Sequence, residues 1–155
     1  MLDERRGGGA KQESGASTMR RTLCVFNRTR ESFLGLRVAP ADTWRMGMKA
    51  LSEKRGTTPD DGIWLIPSRG VHTIGLLSAI DLIYLDSANR VLHLVEHLGP
   101  FRISPVKSKC ASILALASQA IYFSNTRVGD ELLICTPEEI KDCVEGKDRE
   151  PVFPD

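Results

Sequence analysis

The sequence predicts an all-β (mainly β) protein: a compact, jelly-roll-like sandwich or barrel of seven or eight short strands with one or two short helices. Three observations predict it. Short runs rich in Val, Ile, Leu and aromatic residues recur between residues 21 and 135, each bounded by Gly, Pro, Asn, Asp or Ser. A single stretch, Asp42–Leu51, carries apolar residues at clear helical spacing, with Trp44, Met48 and Leu51 at i, i+4 and i+7. The 155 residues are 41% hydrophobic and 26% charged, the composition and size of one ordinary globular domain.

The elements follow in order. Arg21–Asn27 and Phe33–Val38 read as two strands of a hairpin joined by the polar link Arg28–Ser32. Asp42 can cap the helix that follows, and Ser52–Gly62 is a polar loop whose Thr-Pro-Asp-Asp-Gly is turn chemistry. Strands are expected at Ile63–Ile66, Val71–Leu77, Ile80–Leu85 and Val91–Leu98, the last two joined by the hairpin-length loop Asp86–Arg90. Cys110–Phe123 splits into a strand at Ser112–Leu116 and a helical turn near Ser118–Phe123. Val128-Gly-Asp130 turns the chain into a closing strand, Glu131–Cys135. The expected core is Leu23, Val25, Phe33, Leu36, Trp44, Met48, Ile63, Leu65, Ile83, Leu85, Leu92, Leu94, Leu114, Leu116 and Leu132.

The ends differ from this middle. Residues 1–19, with three consecutive glycines and almost nothing apolar, cannot bury enough surface to offset backbone ordering and are expected to be disordered. Residues 20–135 are expected to form the single β-rich domain, and 136–155 an acidic tail, partly helical or disordered, in which Thr136 can cap a short helix that Gly146 would end. Charge is uneven: residues 20–55 carry nine basic and three acidic groups, while 136–155 carry three basic and seven acidic ones. The formal net charge of the whole is only +1, which excludes a strongly basic nucleic-acid wrapper.

The longest charge-free stretch, Cys110–Thr126, is too short and too polar for a membrane span. The first 22 residues hold no apolar run of signal-peptide type, so a cytoplasmic protein is expected. Cys24, Cys110, Cys135 and Cys143 show no paired-ligand spacing, and Cys143, set among charges, is the expected exposed thiol.

Several motifs stand together: Asp61-Gly-Ile-Trp-Leu-Ile-Pro-Ser-Arg-Gly-Val-His-Thr-Ile-Gly75, Ile80-Asp-Leu-Ile-Tyr-Leu-Asp86, Arg90-Val-Leu and Arg127-Val-Gly-Asp-Glu-Leu132. On them the chain resembles the bacterial and archaeal family catalogued as domain of unknown function 192, in the branch with a Val-His-Thr-x-Gly segment, over roughly residues 20–135. Ala79 and Ala115 stand where the family usually has Pro and Glu. The resemblance implies a compact, mostly β, jelly-roll-like domain and no established activity.

Arg69, His72, Thr73 and Asp81 are the candidate ligand-binding residues. A reactive site would give Arg69 an anion, His72 a proton to move and Asp81 the imidazole to orient. The plainer expectation makes His72 and Thr73 satisfy sheet hydrogen bonds and Asp81 hold loop amides. In a tight hairpin of Val71–Leu77 with Ile80–Leu85, Asp81 would lie four residues along the ladder from His72, about 13 Å, too far for a dyad. The same spacing separates His93 from His97 on one strand, so no metal site is expected. No catalytic residue and no cofactor is assigned.

The leading expectation is therefore a non-enzymatic binding or accessory module, with a protein as its foremost partner class and nucleic acid disfavoured. Two alternatives stand beside it: a small hydrolase-like enzyme centred on His72, and an anion- or nucleic-acid-binding module using the basic segment 20–55. A cleft beside His72 would favour the enzyme, and an exposed apolar patch the binding module.

Overall fold

The computed structural model describes residues 22–42 and 60–149, with side chains through Cys143. Strands β1 (Leu23–Asn27) and β2 (Ser32–Ala41) form the expected antiparallel hairpin. β2 then pairs in parallel with β3 (Asp61–Leu65), and a parallel neighbour needs a crossover rather than a tight turn. The connecting residues 43–59 lie outside the described residues, and with them the expected helix beyond Asp42, including Trp44 and Met48. Residues 1–21 and 150–155 lie outside as well.

β4 (Ile80–Leu85) and β5 (Val91–Leu98) form a hairpin with the boundaries the sequence predicts. β6 (Ser112–Ala117) inserts between β4 and β3, antiparallel to both, and β7 (Leu132–Cys135) adds to β1. The order across the sheet is β5-β4-β6-β3-β2-β1-β7. Its two outer strands come together at one end: Arg90 bridges Glu131, and the Val91 amide donates to the Asp130 carbonyl at 2.8 Å. The protein is thus mainly β, a curled seven-stranded sheet with two short helices among the described residues.

Alternation of side chains gives the central strands two buried faces. One face gathers Val25, Leu34, Val38, Ile83, Leu85, Leu114, Leu116 and Leu132 inside the curl, and Ile121 of helix α1 (Ala120–Ser124) closes it. The other gathers Ile63, Leu65, Ile80, Leu82, Tyr84 and Ile113, and there Val71, Leu76 and Cys110 of the loops cover the sheet. Gly62 is required where the inner face is tightest, because an added Cβ would sit 2.5 Å from a Leu116 methyl and 3.1 Å from the Ala115 carbonyl.

Helix α2 (Pro137–Arg149) starts on a reciprocal cap. The Glu139 amide donates to Thr136 Oγ1, and the Thr136 amide donates to Glu139 Oε1. The helix runs past Gly146 to Arg149, contrary to expectation. An interior glycine costs a helix about 1 kcal/mol, which by itself does not stop one that is well capped at its start.

Two further expectations are corrected. Phe33 and Leu36 are 48% and 42% exposed, because β2 carries two register shifts against β1 that break its in-and-out alternation. Val71–Leu77 is not a strand partner of β4. Its start pairs instead with residues 102–104, through the bridge His72–Ile103. It then bends in a turn where the Leu76 amide donates to the Thr73 carbonyl and Gly75 takes φ +100°.

Candidate functional site

The four candidate residues do not converge. Val71 and Leu76 pack with Ile80, Leu82 and Tyr84, whereas Asp81 alternates with these along β4 and lies on the inner side with Ile83 and Leu85. Asp81 is fully buried. Its Oδ1 accepts the His97 amide at 2.8 Å and its Oδ2 accepts the Ile121 amide at 2.9 Å. The carboxylate therefore fastens a β5 bulge, where Glu96 and His97 oppose the single residue Asp81, to the start of α1. It orients no imidazole ring. The sequence's plainer reading of Asp81 has it hold loop amides; the amides it holds belong to a strand bulge and a helix start.

Thr73 is likewise a clamp. Its amide donates to the Arg102 carbonyl, its hydroxyl donates to the Gly99 carbonyl at 2.6 Å, and the Arg102 amide donates back to that hydroxyl oxygen. His72, one residue away on the opposite side of the chain, is exposed, and the Ile74 amide approaches its Nδ1 at 3.4 Å. Arg69 is also exposed, and its carbonyl accepts the Lys107 amide.

Arg69, His72 and Thr73 thus belong to one feature, a loop pair formed by residues 69–77 and 99–109. Tyr84 anchors it from beneath: its buried hydroxyl lies 2.6 Å from both Ser104 Oγ and the Pro105 carbonyl. The Val71 amide donates to Ser104 Oγ, and the Ser104 amide donates to the Val71 carbonyl. With Val71, Thr73 and Ser104 turned inward, the alternate residues Ile74, Phe101 and Ile103 turn out, and Leu77 and Val106 lie exposed beyond the paired stretch. Ile74, Leu77, Phe101, Ile103 and Val106 stand between 53% and 89% exposed on this pair.

Beside them Leu92, His93, Val106, Lys107, Ser108 and Lys109 line an open recess of about 360 Å³. Burial, and then the neighbouring Lys107, hold the His93 imidazole below its usual range. Sequence reading missed this surface because it takes Val71–Leu77 as a strand and gives residues 99–109 no element. The legible signal was that segments 69–78 and 99–110 contain Arg69, Arg102, Lys107 and Lys109 but no Asp or Glu.

A second concavity, of about 330 Å³, lies between β2 and α1, lined by Phe33, Leu36, Asp60, Ser118, Gln119 and Phe123 among others. At its rim Ser118 Oγ and His97 Nδ1 are 2.7 Å apart. This is the contact length of a nucleophile and its base. Asp81, however, holds the backbone of His97 rather than its ring.

A third polar cluster is structural. Asp130 Oδ2 accepts from Asn27 Nδ2, Arg30 Nε and the Arg127 amide, all within 3.1 Å, and Asn27, Thr126 and Asp130 are buried. Burial pushes the Asp130 carboxyl up, but these donors outweigh it and hold the group below its ordinary value. The network ties the β1–β2 hairpin to the turn that closes the curl.

The basic segment 20–55 is described only in part, and two of its cations are already paired: Arg30 with Asp130, and Arg37 with Asp61 at 2.9 Å. Among the described residues no group of three or more His, Cys, Asp or Glu comes together to hold a metal ion, and no helix is long and apolar enough to cross a membrane.

No family model and no curated protein matches the chain. Two solved structures resemble it. One is a protein of unknown function from Novosphingobium aromaticivorans DSM 12444, with 14% identity, TM-score 0.60, and coverage of 72% of this chain and 83% of that one. The other, from Sinorhizobium meliloti 1021, is provisionally described as a transcription regulator, with 19% identity, TM-score 0.57, and coverage of 72% and 90%. At such identities the likeness is one of fold.

Proposed function

We propose that this chain is a non-enzymatic binding module whose contact surface is the loop pair 69–77 and 99–109. One observation carries the reading: five large apolar side chains, Ile74, Leu77, Phe101, Ile103 and Val106, stand exposed on a hydrogen-bonded pair of loops. Large apolar groups gathered on one surface mark a place of contact more often than an accident of folding. The resemblance to domain of unknown function 192, a proposal on the motifs quoted above, agrees with a compact β domain that carries no established activity.

A second reading, a hydrolase, draws on the Ser118–His97 contact beside the β2–α1 concavity rather than on His72. It is weaker, because among the described residues no carboxylate bonds the His97 ring, and the Ile121 amide nearby is already spent on Asp81.

The test is site-specific photo-crosslinking in the producing cells. A photoreactive residue at position 103 should give adducts that one at position 87, in the exposed β4–β5 turn, does not. Equal yields from both positions, or ester hydrolysis that disappears with Ser118→Ala, would overturn the reading.

A further inference from the structure

The loop pair combines two kinds of recognition that a soluble ligand seldom needs together. The first is apolar and convex. Ile74 stands at the tip of the Thr73–Leu76 turn, Phe101 at a left-handed position with φ 58°, and Leu77 is 89% exposed. These are projections, whereas a pocket for a small molecule is concave. The second is electrostatic. Arg69, Arg102, Lys107 and Lys109 occupy the same two segments, and neither segment contains a carboxylate. The two parts share one pair of backbone-linked segments, Thr73 with Arg102 and Lys107 with Arg69, and exposed Val106 lines the recess together with His93, Lys107, Ser108 and Lys109.

Resting on the reading of this surface as the contact face, we propose that its partner is an anionic phospholipid surface: Leu77, Phe101 and Ile103 enter the headgroup–acyl boundary while Arg69, Arg102, Lys107 and Lys109 pair with lipid phosphates. Interfacial binding of this kind sums buried apolar area and attraction to anionic headgroups. Either part alone is weak, and together they make a reversible peripheral attachment. The recess of about 360 Å³ between β5 and the Lys107–Lys109 loop gives one headgroup a seat. The loops need not rearrange, because Tyr84, Thr73 and Ser104 already hold them in place.

The test uses the full-length chain in sedimentation with vesicles of phosphatidylcholine alone and of phosphatidylcholine with about one third phosphatidylglycerol. Binding is expected only to the anionic vesicles. Each basic residue at the surface is worth about five-fold in partition, so Lys107→Glu with Lys109→Glu should reduce binding by about twenty-fold or more. Leu77→Ser with Ile103→Ser should reduce it with the charges untouched. These positions are exposed or at the surface, and unchanged urea midpoints confirm that the variants fold.

Raising the salt from 0.1 to 1 M shortens the screening length from about 10 to about 3 Å and should release the bound protein. No binding to anionic vesicles at low salt, equal binding to both vesicle types, or binding indifferent to both variant pairs overturns the proposal. If position 103 crosslinks to a protein in cells while the vesicles stay bare, the contact surface stands and the lipid assignment falls. If neither partner is captured, both fall.

Discussion

Replacing Asp81 by alanine removes the acceptor for two backbone amides, the partly buried one of His97 and the buried one of Ile121, at 2.8 and 2.9 Å. A buried donor left without a partner costs about 1–3 kcal/mol and a partly exposed one less, so the pair predicts a loss of about 2–4 kcal/mol, a large share of a small domain's stability. Asp81→Asn keeps one acceptor oxygen and turns an NH₂ toward the other amide, so it should cost about half as much. Urea unfolding with an unchanged slope reads the loss. Amide hydrogen exchange should speed up first at Ile121, where α1 loses its anchor. A loss below about 1 kcal/mol would refute the clamp. The same experiment settles the dyad: His72→Ala and Asp81→Ala should add within about 0.5 kcal/mol, because Asp81 lies on the inner side of β4 and the His72 loop covers the opposite face. A coupling well above 1 kcal/mol would mean that they communicate after all.

Other predictions follow from packing and charge. Leu85→Ala, at a fully buried position of the inner core, should cost about 2–5 kcal/mol, whereas Leu36→Ala should cost far less because β2 leaves that side chain half exposed. Equal costs would contradict the register of β2. Asp130 has its folded pKa held below the ordinary value of 3.8, so its contribution to stability is present above that pH and is lost as pH falls through the folded value. Asp130→Asn should therefore flatten the acid limb of the stability curve, and a curve of unchanged shape would contradict the network. Burial, then the nearby Cys143, Glu139 and Cys24, push the Cys135 thiol up to about 11, and burial raises Cys24 and Cys110 as well. Alkylation at pH 8 followed by mass spectrometry should modify exposed Cys143 first, and a faster Cys135 would refute the packing of β7.

The strands β4 and β5 were legible to the residue because an apolar run, a five-residue polar loop and a second apolar run leave little freedom in pairing. β2 was legible as a strand but not in its faces. Two bulges shift its alternation, and nothing local in Ser32–Ala41 announces where the partner strand slips. Val71–Leu77 failed for a related reason. Val71 and Leu76 do turn inward against Ile80, Leu82 and Tyr84, but the backbone of the segment pairs with residues about thirty further along rather than with β4.

The site divides in the same way. Asp81 was recognisable as a buried polar residue beside apolar neighbours, and its role as a holder of amides was among the readings its position allows. The hub at Asp130 was not recognisable. Asn27 meets it from a hairpin a hundred residues earlier, and the local sequence Val-Gly-Asp reads only as a turn. The exposure of Ile74, Leu77, Phe101, Ile103 and Val106 was not recognisable, because periodicity reports which residues share a side, not whether that side meets protein or solvent.

The most direct test of the contact surface is carbene footprinting of the full-length chain, alone and in the lysate of the producing cells with its membranes retained. Labelling maps each segment's access to solvent without presuming the partner. The account predicts protection confined to residues 69–77 and 99–109, with the β2–α1 concavity around Phe33 and Phe123 labelled equally in both samples. Protection at that concavity with the two loops unchanged would contradict it.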